Sequence, residues 1–237
     1  NQKYINSIVK QALLEDLYPR GDITTNLINF KNKVIKAKII SKQNGIVSGL
    51  DFCKAAFKLV GKETFFKSKI KDGKPIKKNK IIAEIKAKTK TICCTRKTTP
   101  NLRLLEKYAV KKGGGYNHRF NLSDEILIKE NHISSESALR KLIIKALKTK
   151  KIVTVEIENI EQLKQVLDLN FKRILFDNMK ISQLKKCIKI CKKKFETEYS
   201  GNANLGNIKK ISKTGVQRIS VGSITHSSKS FDSSLLI

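Results

Sequence analysis

After about Lys90, short apolar runs alternate with amphipathic segments, and this alternation constrains the fold more than any other feature of the chain. The apolar runs predict six strands: Thr91–Cys94, Ile126–Ile128, Ile152–Ile157, Arg173–Phe176, Phe195–Tyr199 and Ile219–Val221. The segments between them have helical spacing and predict five helices: Leu102–Lys111, Ser135–Leu147, Ile160–Leu167, Ser182–Lys193 and Leu205–Lys213. Because a helix after each strand returns the chain to the level at which the next strand starts, the repeated unit predicts a parallel sheet.

Each predicted strand ends in residues with polar chemistry. They are Arg96 and Lys97, Lys129, Glu156, Asp177, Ser200-Gly201-Asn202 and Gly222-Ser223. An open doubly wound sheet also binds ligands at these ends, but it concentrates them at one switch point. Since every predicted strand contributes, the pattern favours a (β/α) barrel with its active site at the C-terminal ends of the strands.

The first part of the chain has a different pattern of apolar residues. Apolar residues from Ile5 to Leu17 recur at helical spacing, and a second helix is predicted at Asp51–Leu59. Three strands are predicted around that second helix: Val34–Ser41, Gly45–Gly49 and Ile81–Ile85. We therefore expect a small α+β domain over residues 1–88 and a (β/α) domain over residues 89–230.

The formal charge of +30 raises the possibility of nucleic-acid binding. The lysines are spread along the chain, with no basic tail and no aromatic residues interleaved to stack bases. We therefore favour solvated lysine-rich faces that attract anionic substrates. No apolar stretch is long enough to predict a membrane span, and the odd cysteine count without a disulfide-like pattern favours a reducing, cytoplasmic compartment.

One cluster of cations has few nearby acids. It consists of Arg96, Lys97, His118, Arg119 and Lys129. A surface salt-bridge network is the ordinary alternative, but unpartnered cations suit a substrate with several carboxylates or phosphates. The sequence therefore predicts a site for a small polyanion.

Two carboxylates, Glu156 and Asp177, lie at the ends of adjacent predicted strands. Such a pair can hold Mg²⁺, which shares its remaining positions with substrate phosphates. Ion pairing of these carboxylates to nearby Lys or Arg is the alternative. The last two loops, with Ser200-Gly201-Asn202 and Gly222-Ser223, let backbone N–H groups approach a phosphate closely.

Together these motifs resemble the quinolinate phosphoribosyltransferase family. The resemblance rests on Glu15–Leu17, Gly21–Thr25, Thr95–Pro100, Leu102–Val110, Gly113–Arg119, Ile128–His132, Val155–Asn159, Asp177–Met179, Val221–Ser227 and Phe231–Ile237. It implies an N-terminal α+β domain and an incomplete (β/α) barrel, with residues 231–237 returning as a strand to the first domain. It also implies a homodimer that joins quinolinate to phosphoribosyl pyrophosphate, releasing pyrophosphate and CO₂ and giving nicotinate mononucleotide for NAD synthesis.

The resemblance also assigns roles to residues of this chain. Arg96, His118, Arg119 and Lys129 would hold the quinolinate carboxylates, and Lys97 would contact phosphoribosyl pyrophosphate near both substrates. Glu156 and Asp177 would bind Mg²⁺ and the ribose hydroxyls. Ser200, Gly201, Gly222 and His226 would line the 5-phosphate end.

The chain departs from the family at one point. The family carries two helices with a Glu-Arg-Thr motif before the first barrel strand, and its arginine reaches the partner subunit's quinolinate. Here Ile85 runs directly into Thr91 through five residues, so we expect that the sequence omits a segment at this junction. A molybdenum-transport-associated paralogue, an inactive family member and a basic nucleic-acid-binding protein on the same scaffold are the alternatives.

Overall fold

The computed structural model of this protein describes residues 2–28, 34–61, 64–88, 97–133 and 136–226. The chain divides into two compact units, residues 1–95 and 96–237. The predicted strands Thr91–Cys94 and 231–237 lie outside the described residues, as do Arg96 and the side chain of His226.

The first unit combines three helices with two small antiparallel sheets. Its helices are α1 (Gln2–Leu17), α2 (Ile23–Leu27) and α3 (Leu50–Val60). Its strands are β1 (Val34–Ile40), β2 (Gly45–Ile46), β3 (Phe65–Ser68), β4 (Pro75–Ile76) and β5 (Ile81–Lys88). The larger sheet has the order β1-β5-β3, and β2 pairs with β4. Strands β3 and β4 were not predicted, because each is short and lacks a clear alternation of apolar residues.

Local sequence explains how this unit is organised. Helix α1 packs against α3, and Val9, Ala55, Ala83 and Ile85 are buried in the interior. The carboxylate of Asp72 accepts hydrogen bonds from the first backbone N–H groups of α3, at 3.1 Å from Gly49 and 3.2 Å from Leu50. A carboxylate at this position satisfies N–H groups that have no partner within the helix.

The second unit is built on a five-stranded parallel sheet whose strands lie side by side in chain order. They are β6 (Ile126–Ile128), β7 (Val153–Ile157), β8 (Arg173–Asp177), β9 (Glu196–Ser200) and β10 (Arg218–Ser220). The helices are α4 (Arg103–Lys112), α5 (Glu136–Leu147), α6 (Ile160–Lys164), α7 (Ile181–Cys191), α8 (Ile208–Ser212) and α9 (Ser223–His226). Helices α5 to α8 connect successive strands, so the predicted parallel βα arrangement is confirmed. Over the described residues the sheet is open, with β6 and β10 at its edges.

The two faces of this sheet differ in chemistry because side chains alternate along each strand. One face is apolar and includes Val155, Ile157, Ile174 and Phe176, all with no exposed surface. The register pairs Thr154 with Arg173, Leu175 with Glu198, and Asp177 with Ser200 on the other face. The polar face therefore carries charged side chains along its whole length.

Asparagine side chains lie near the starts of two helices of this unit, α6 and α8. Asn159 caps α6, since its side chain accepts a hydrogen bond of 2.8 Å from the N–H of Gln162. Asn204 does not cap α8, because α8 begins at Ile208 with Asn207 at the cap position. Asn204 instead accepts from the N–H of Gly206 at 2.9 Å, which stabilises the turn before the helix.

Candidate functional site

The C-terminal ends of β7 and β8 bring the two predicted metal-binding carboxylates close together. Glu156 pairs in register with Leu175, and Asp177 lies two positions further along the same face. The charge of Asp177 contributes to raising the pKa of Glu156. The tertiary structure thus places both carboxylates in one site, as their positions at strand ends predicted.

Glu156 is the most perturbed acid of this site. Its side chain is 4% exposed, and its Oε2 lies 2.7 Å from the Nζ of Lys129. Burial and a hydrogen bond with Glu130 raise the pKa of Glu156 to about 7, against the opposing effect of Lys129. The same hydrogen bond lowers the pKa of Glu130, so Glu156 is the carboxyl of this pair that takes up a proton more readily.

The Lys129–Glu156 ion pair is the alternative that the sequence left open for Glu156. It also joins a predicted quinolinate-binding residue to a predicted metal ligand. The backbone at Lys129 is fixed because its N–H donates to Nδ1 of His132 at 3.0 Å. The ammonium group is therefore held between the two parts of the predicted site.

A tight backbone contact orients Asp177. The side-chain amide of Asn178 donates to Asp177 Oδ2 at 2.8 Å, and the Asn178 N–H donates to the carbonyl of Ser200 at 2.7 Å. Gly201 has φ +130°, and a Cβ there would lie 2.9 Å from the Asn178 backbone nitrogen. Glycine is required at this position, because a side chain would meet both steric and conformational obstacles.

His118 and Arg119 are held by the helix that precedes them. Lys107 on α4 donates from Nζ to the carbonyls of His118 and Arg119, at 2.8 and 3.0 Å. The guanidinium of Arg119 donates to the Glu125 carbonyl at 2.7 Å, and the residue is only 4% exposed. The role of Arg119 in binding a substrate carboxylate stays a prediction, since the structure places this side chain within the protein.

His118 is neutral in this environment. Burial, followed by the charges of Arg119, Arg173, Arg218 and Lys107, lowers its pKa to about 3. Its Nδ1 accepts a hydrogen bond of 3.0 Å from the N–H of Arg119. The remaining ring nitrogen, Nε2, must then carry the proton.

An ionic network on the polar face of the sheet was missed in the sequence. Arg173 donates from Nε to Glu196 Oε2 at 2.8 Å and lies 3.4 Å from Glu125. Arg218 lies 3.3 Å from Glu196 and 3.5 Å from Glu198. The sequence does carry a sign of this network: charged residues occupy alternating positions within otherwise apolar strands. This placement indicates that one face of the sheet is polar but buried, and is not a face exposed to solvent.

Lys97 and Gly222 meet at the start of α9. The hydroxyl oxygen of Thr225 lies 2.8 Å from the carbonyl oxygen of Lys97 and 3.1 Å from that of Gly222, so its one proton can be donated to either. The side chain of Lys97 is exposed. Two predicted phosphoribosyl pyrophosphate contacts are thus neighbours, although they are far apart in the chain.

A cavity of about 730 Å³ lies at the opposite, N-terminal end of the strands. Its lining includes Lys150, Lys151, Lys172, Lys193 and Lys194. None of the predicted site residues borders it. The chemistry at the C-terminal ends of the strands, rather than the size of this cavity, identifies the candidate site.

Three further predictions concern metal, membrane and redox chemistry. Over the described ranges, no group of three or more His, Cys, Asp or Glu side chains is arranged to hold a metal ion. None of the helices in those ranges is both long and apolar enough to cross a bilayer. Cys53, Cys187 and Cys191 are free thiols, whereas Cys93 and Cys94 lie outside the described residues.

A parallel sheet with two carboxylates, a lysine paired with one of them and a glycine turn at its C-terminal strand ends defines an α/β enzyme that acts on an anionic small molecule. Comparison with known families makes the class specific. The sequence model of the quinolinate phosphoribosyl transferase C-terminal domain matches residues 77–236, and that of the N-terminal domain matches residues 22–102. The chain belongs to the quinolinate phosphoribosyltransferase family.

Individual relatives agree with this membership. A probable carboxylating nicotinate-nucleotide pyrophosphorylase of Bacillus subtilis is 33% identical, covering 99% of this chain and 94% of the relative. A decarboxylating quinolinate phosphoribosyltransferase of Nicotiana tabacum is 32% identical, covering 98% and 82%. The solved nicotinate-nucleotide pyrophosphorylase of Francisella tularensis is 30% identical with a TM-score of 0.54, covering 97% and 94%. The predicted fold class and class of enzyme, a pentosyltransferase, are confirmed, and the molybdenum-associated and nucleic-acid-binding alternatives gain no support.

The relatives also bear on the short junction. The alignment to the Bacillus subtilis protein spans 273 positions, whereas this chain has 237 residues. That relative therefore carries residues with no counterpart here. The two domain models overlap at residues 77–102, which include the junction. Of the interval from Ile85 to Thr91 in which a break is predicted, residues 85–88 end β5 and residues 89–91 lie outside the described residues, so the break stays a prediction.

Proposed function

We propose that this protein transfers a phosphoribosyl group from phosphoribosyl pyrophosphate to quinolinate with decarboxylation, as a step of NAD synthesis. The bond from ribose C1 to pyrophosphate breaks, and the pyridine nitrogen supplies the electron pair for the new bond to C1. The 2-carboxylate then leaves as CO₂, and its bonding pair stays on C2 and takes up a proton. The products are nicotinate mononucleotide, pyrophosphate and CO₂.

The observation that carries this proposal is the meeting of Lys129, Glu156 and Asp177 at adjacent parallel strand ends in a member of this family. A cation beside carboxylates can serve two anionic substrates at once. Lys129 would bind a quinolinate carboxylate, together with Arg96, His118 and Arg119. Charge-assisted contacts of this kind give both affinity and orientation for a dicarboxylate.

The phosphoribosyl side of the site would use the neighbouring segments. Lys97 and Gly222, joined through Thr225, would contact phosphoribosyl pyrophosphate. Ser200 and Gly201 would line the 5-phosphate end with His226, since the glycine turn leaves backbone N–H groups accessible to an anion. Cations on this side would stabilise the charge that develops on pyrophosphate as it leaves.

Glu156 and Asp177 fit Mg²⁺ as ligands. Two carboxylates supply only part of the coordination shell. This suits Mg²⁺, which keeps waters and substrate phosphates among its ligands. Bound Mg²⁺ would neutralise the pyrophosphate and help it to leave. Glu156 would exchange its contact with Lys129 for the metal ion, which frees the ammonium group for the substrate carboxylate. Asp177 is already oriented by Asn178.

The proposal extends to assembly and location. We infer a homodimer, as the family resemblance implies, and a cytoplasmic enzyme, as the free thiols suggest. The partner-subunit arginine of the family would belong to the segment that we expect the sequence to omit between Ile85 and Thr91.

The test is release of CO₂ from quinolinate radiolabelled in its 2-carboxylate, with and without phosphoribosyl pyrophosphate and Mg²⁺. Release that requires both additions supports the proposal. A matched control is Asp168→Asn, because Asp168 is an exposed residue paired with Arg140, whereas Asp177→Asn should lower the rate of release. Release without either addition, or none from the purified chain under any condition, would contradict the proposal and leave the inactive family member as the better description.

A further inference from the structure

Glu198 is the most deeply buried carboxylate on the polar face of the sheet. It lies in the middle of β9, and its side chain is 1% exposed. The sequence assigned it no role. A buried carboxylate is costly unless cations and hydrogen bonds surround it, so its contacts indicate why it is there.

The two oxygens of Glu198 face different partners. Oε1 accepts a short hydrogen bond from the hydroxyl of Ser220 on β10, and it lies 3.6 Å from Nε2 of His118. Oε2 lies 3.6 Å from Nε of Arg173 and 3.5 Å from Nε of Arg218. Among the described residues Oε2 makes no hydrogen bond. Two guanidinium groups thus flank one oxygen at ion-pair distance, and the other oxygen faces the imidazole.

Only one ring nitrogen of His118 makes a hydrogen bond among the described residues, and Nε2 is buried without one. Nδ1 accepts from the Arg119 N–H, and Nε2 with its proton faces Glu198. A separation of 3.6 Å is longer than a hydrogen bond, but such contacts are often loose in ligand-free sites and tighten in the complex. His118 therefore connects the segment that carries Arg119 to the sheet.

We propose that Glu198 is a positioning residue of the quinolinate site, which anchors the imidazole of His118 to β9 and thereby sets the position of Arg119. This inference rests on the proposed function, in which Arg119 binds a quinolinate carboxylate. Arg173 and Arg218 hold the carboxylate in place, and Ser220 fixes which oxygen faces His118. The charge on Glu198 also offsets the four cations around the imidazole, which otherwise repel one another.

Glu198→Gln keeps the shape of the side chain and removes its charge. It should raise the Kd of quinolinate roughly tenfold and leave the Kd of phosphoribosyl pyrophosphate within about twofold, measured by calorimetry on the full chain. The matched control is Glu196→Gln, since Glu196 lies on the same strand and binds the same two arginines but does not contact His118. The control should change thermal stability and not quinolinate affinity.

A double-mutant cycle with His118→Ala separates positioning from general stabilisation. If Glu198 acts through His118, the double variant should bind quinolinate no more weakly than the weaker of the two single variants. Equal effects of the Glu196 and Glu198 changes, additive effects in the cycle, or equal weakening of both substrates would each overturn the inference. If Glu198→Gln does not fold, Ser220→Ala takes its place, with an expected several-fold rise in the quinolinate Kd alone.

Nuclear magnetic resonance of ¹⁵N-labelled histidine distinguishes a failure of this inference from a failure of the proposed function. In the wild-type chain His118 should show the Nε2–H tautomer, and Glu198→Gln or Ser220→Ala should shift its ring signals. If quinolinate does not bind the wild-type chain, the proposed function is wrong. If the His118 ring signals are the same in the wild type and in these variants, the anchoring role of Glu198 is wrong, whatever the substrate.

Discussion

The Nζ of Lys129 lies 2.7 Å from Oε2 of Glu156, although 27 residues separate them in the chain. The contact crosses from the end of β6 to the end of β7, which are neighbours in the parallel sheet. This contact joins a predicted quinolinate-binding residue, Lys129, to a predicted metal ligand, Glu156. Substitutions on its two sides should therefore affect the two substrates differently.

Lys129→Ala should raise the Kd of quinolinate by roughly ten- to a hundredfold, because one charge-assisted contact is lost. Arg119→Ala should act in the same direction and also lower stability, since Arg119 is buried. Calorimetric titration with each substrate measures both effects. Lys150→Ala, at the opposite end of the strands, is the control and should change neither affinity. Equal weakening of quinolinate and phosphoribosyl pyrophosphate would show that these residues do not belong to the quinolinate side.

Asp177→Asn should raise the Mg²⁺ concentration needed for half-maximal turnover and lower the maximal rate, without unfolding the chain. The amide keeps the shape of Asp177 but is a weaker ligand for Mg²⁺ than a carboxylate. Glu156→Gln should shift the Mg²⁺ dependence in the same direction. The measurement is turnover against Mg²⁺ concentration. Wild-type dependence in both variants would mean that the carboxylates serve only as ion-pair partners.

Gly201→Ala should destabilise the protein by about 1–3 kcal/mol, because an L side chain at φ +130° is strained and its Cβ would meet Asn178. Affinity for phosphoribosyl pyrophosphate should fall as well, since the turn carries the proposed 5-phosphate contacts. Urea unfolding and calorimetry check the two effects. The control is Gly45→Ala, where a Cβ meets nothing within 4 Å. Similar losses in the two variants would argue against a special requirement at Gly201.

His118 should make stability depend on pH below neutrality. Its folded pKa is lowered to about 3 from 6.5, so its contribution is complete above pH 6.5 and is lost as the pH falls toward 3. The unfolded chain takes up a proton in this window and the folded chain does not. His118→Asn should therefore flatten the decline in unfolding free energy relative to wild type. Carboxylates titrate in both proteins, so their effect cancels when the unfolding free energies of wild type and variant are subtracted. Identical slopes of unfolding free energy against pH in the two proteins would contradict a buried neutral imidazole.

Much of the second unit could be predicted from the sequence because the relevant signals are local. The strand Ile126–Ile128 was predicted with the bounds it has, and β7 and β8 differ from their predictions by one residue at one end. Short apolar runs between helical segments have few ways to bury both faces, and a parallel sheet is the simplest. Since parallel strands point the same way, their C-terminal ends also had to share one edge, which placed Lys129, Glu156 and Asp177 together.

The sequence by itself thus determined the class of fold, the order of the elements and the edge at which the polar residues collect. Only the tertiary structure decided which charges pair. Lys129 forms an ion pair with Glu156, and Arg173 forms ion pairs with Glu125, Glu196 and Glu198. These partners are distant in the chain, and their choice depends on strand register and on burial, which set the strength of each interaction. The raised pKa of Glu156 and the lowered pKa of His118 follow from that burial, which no local pattern of residues encodes.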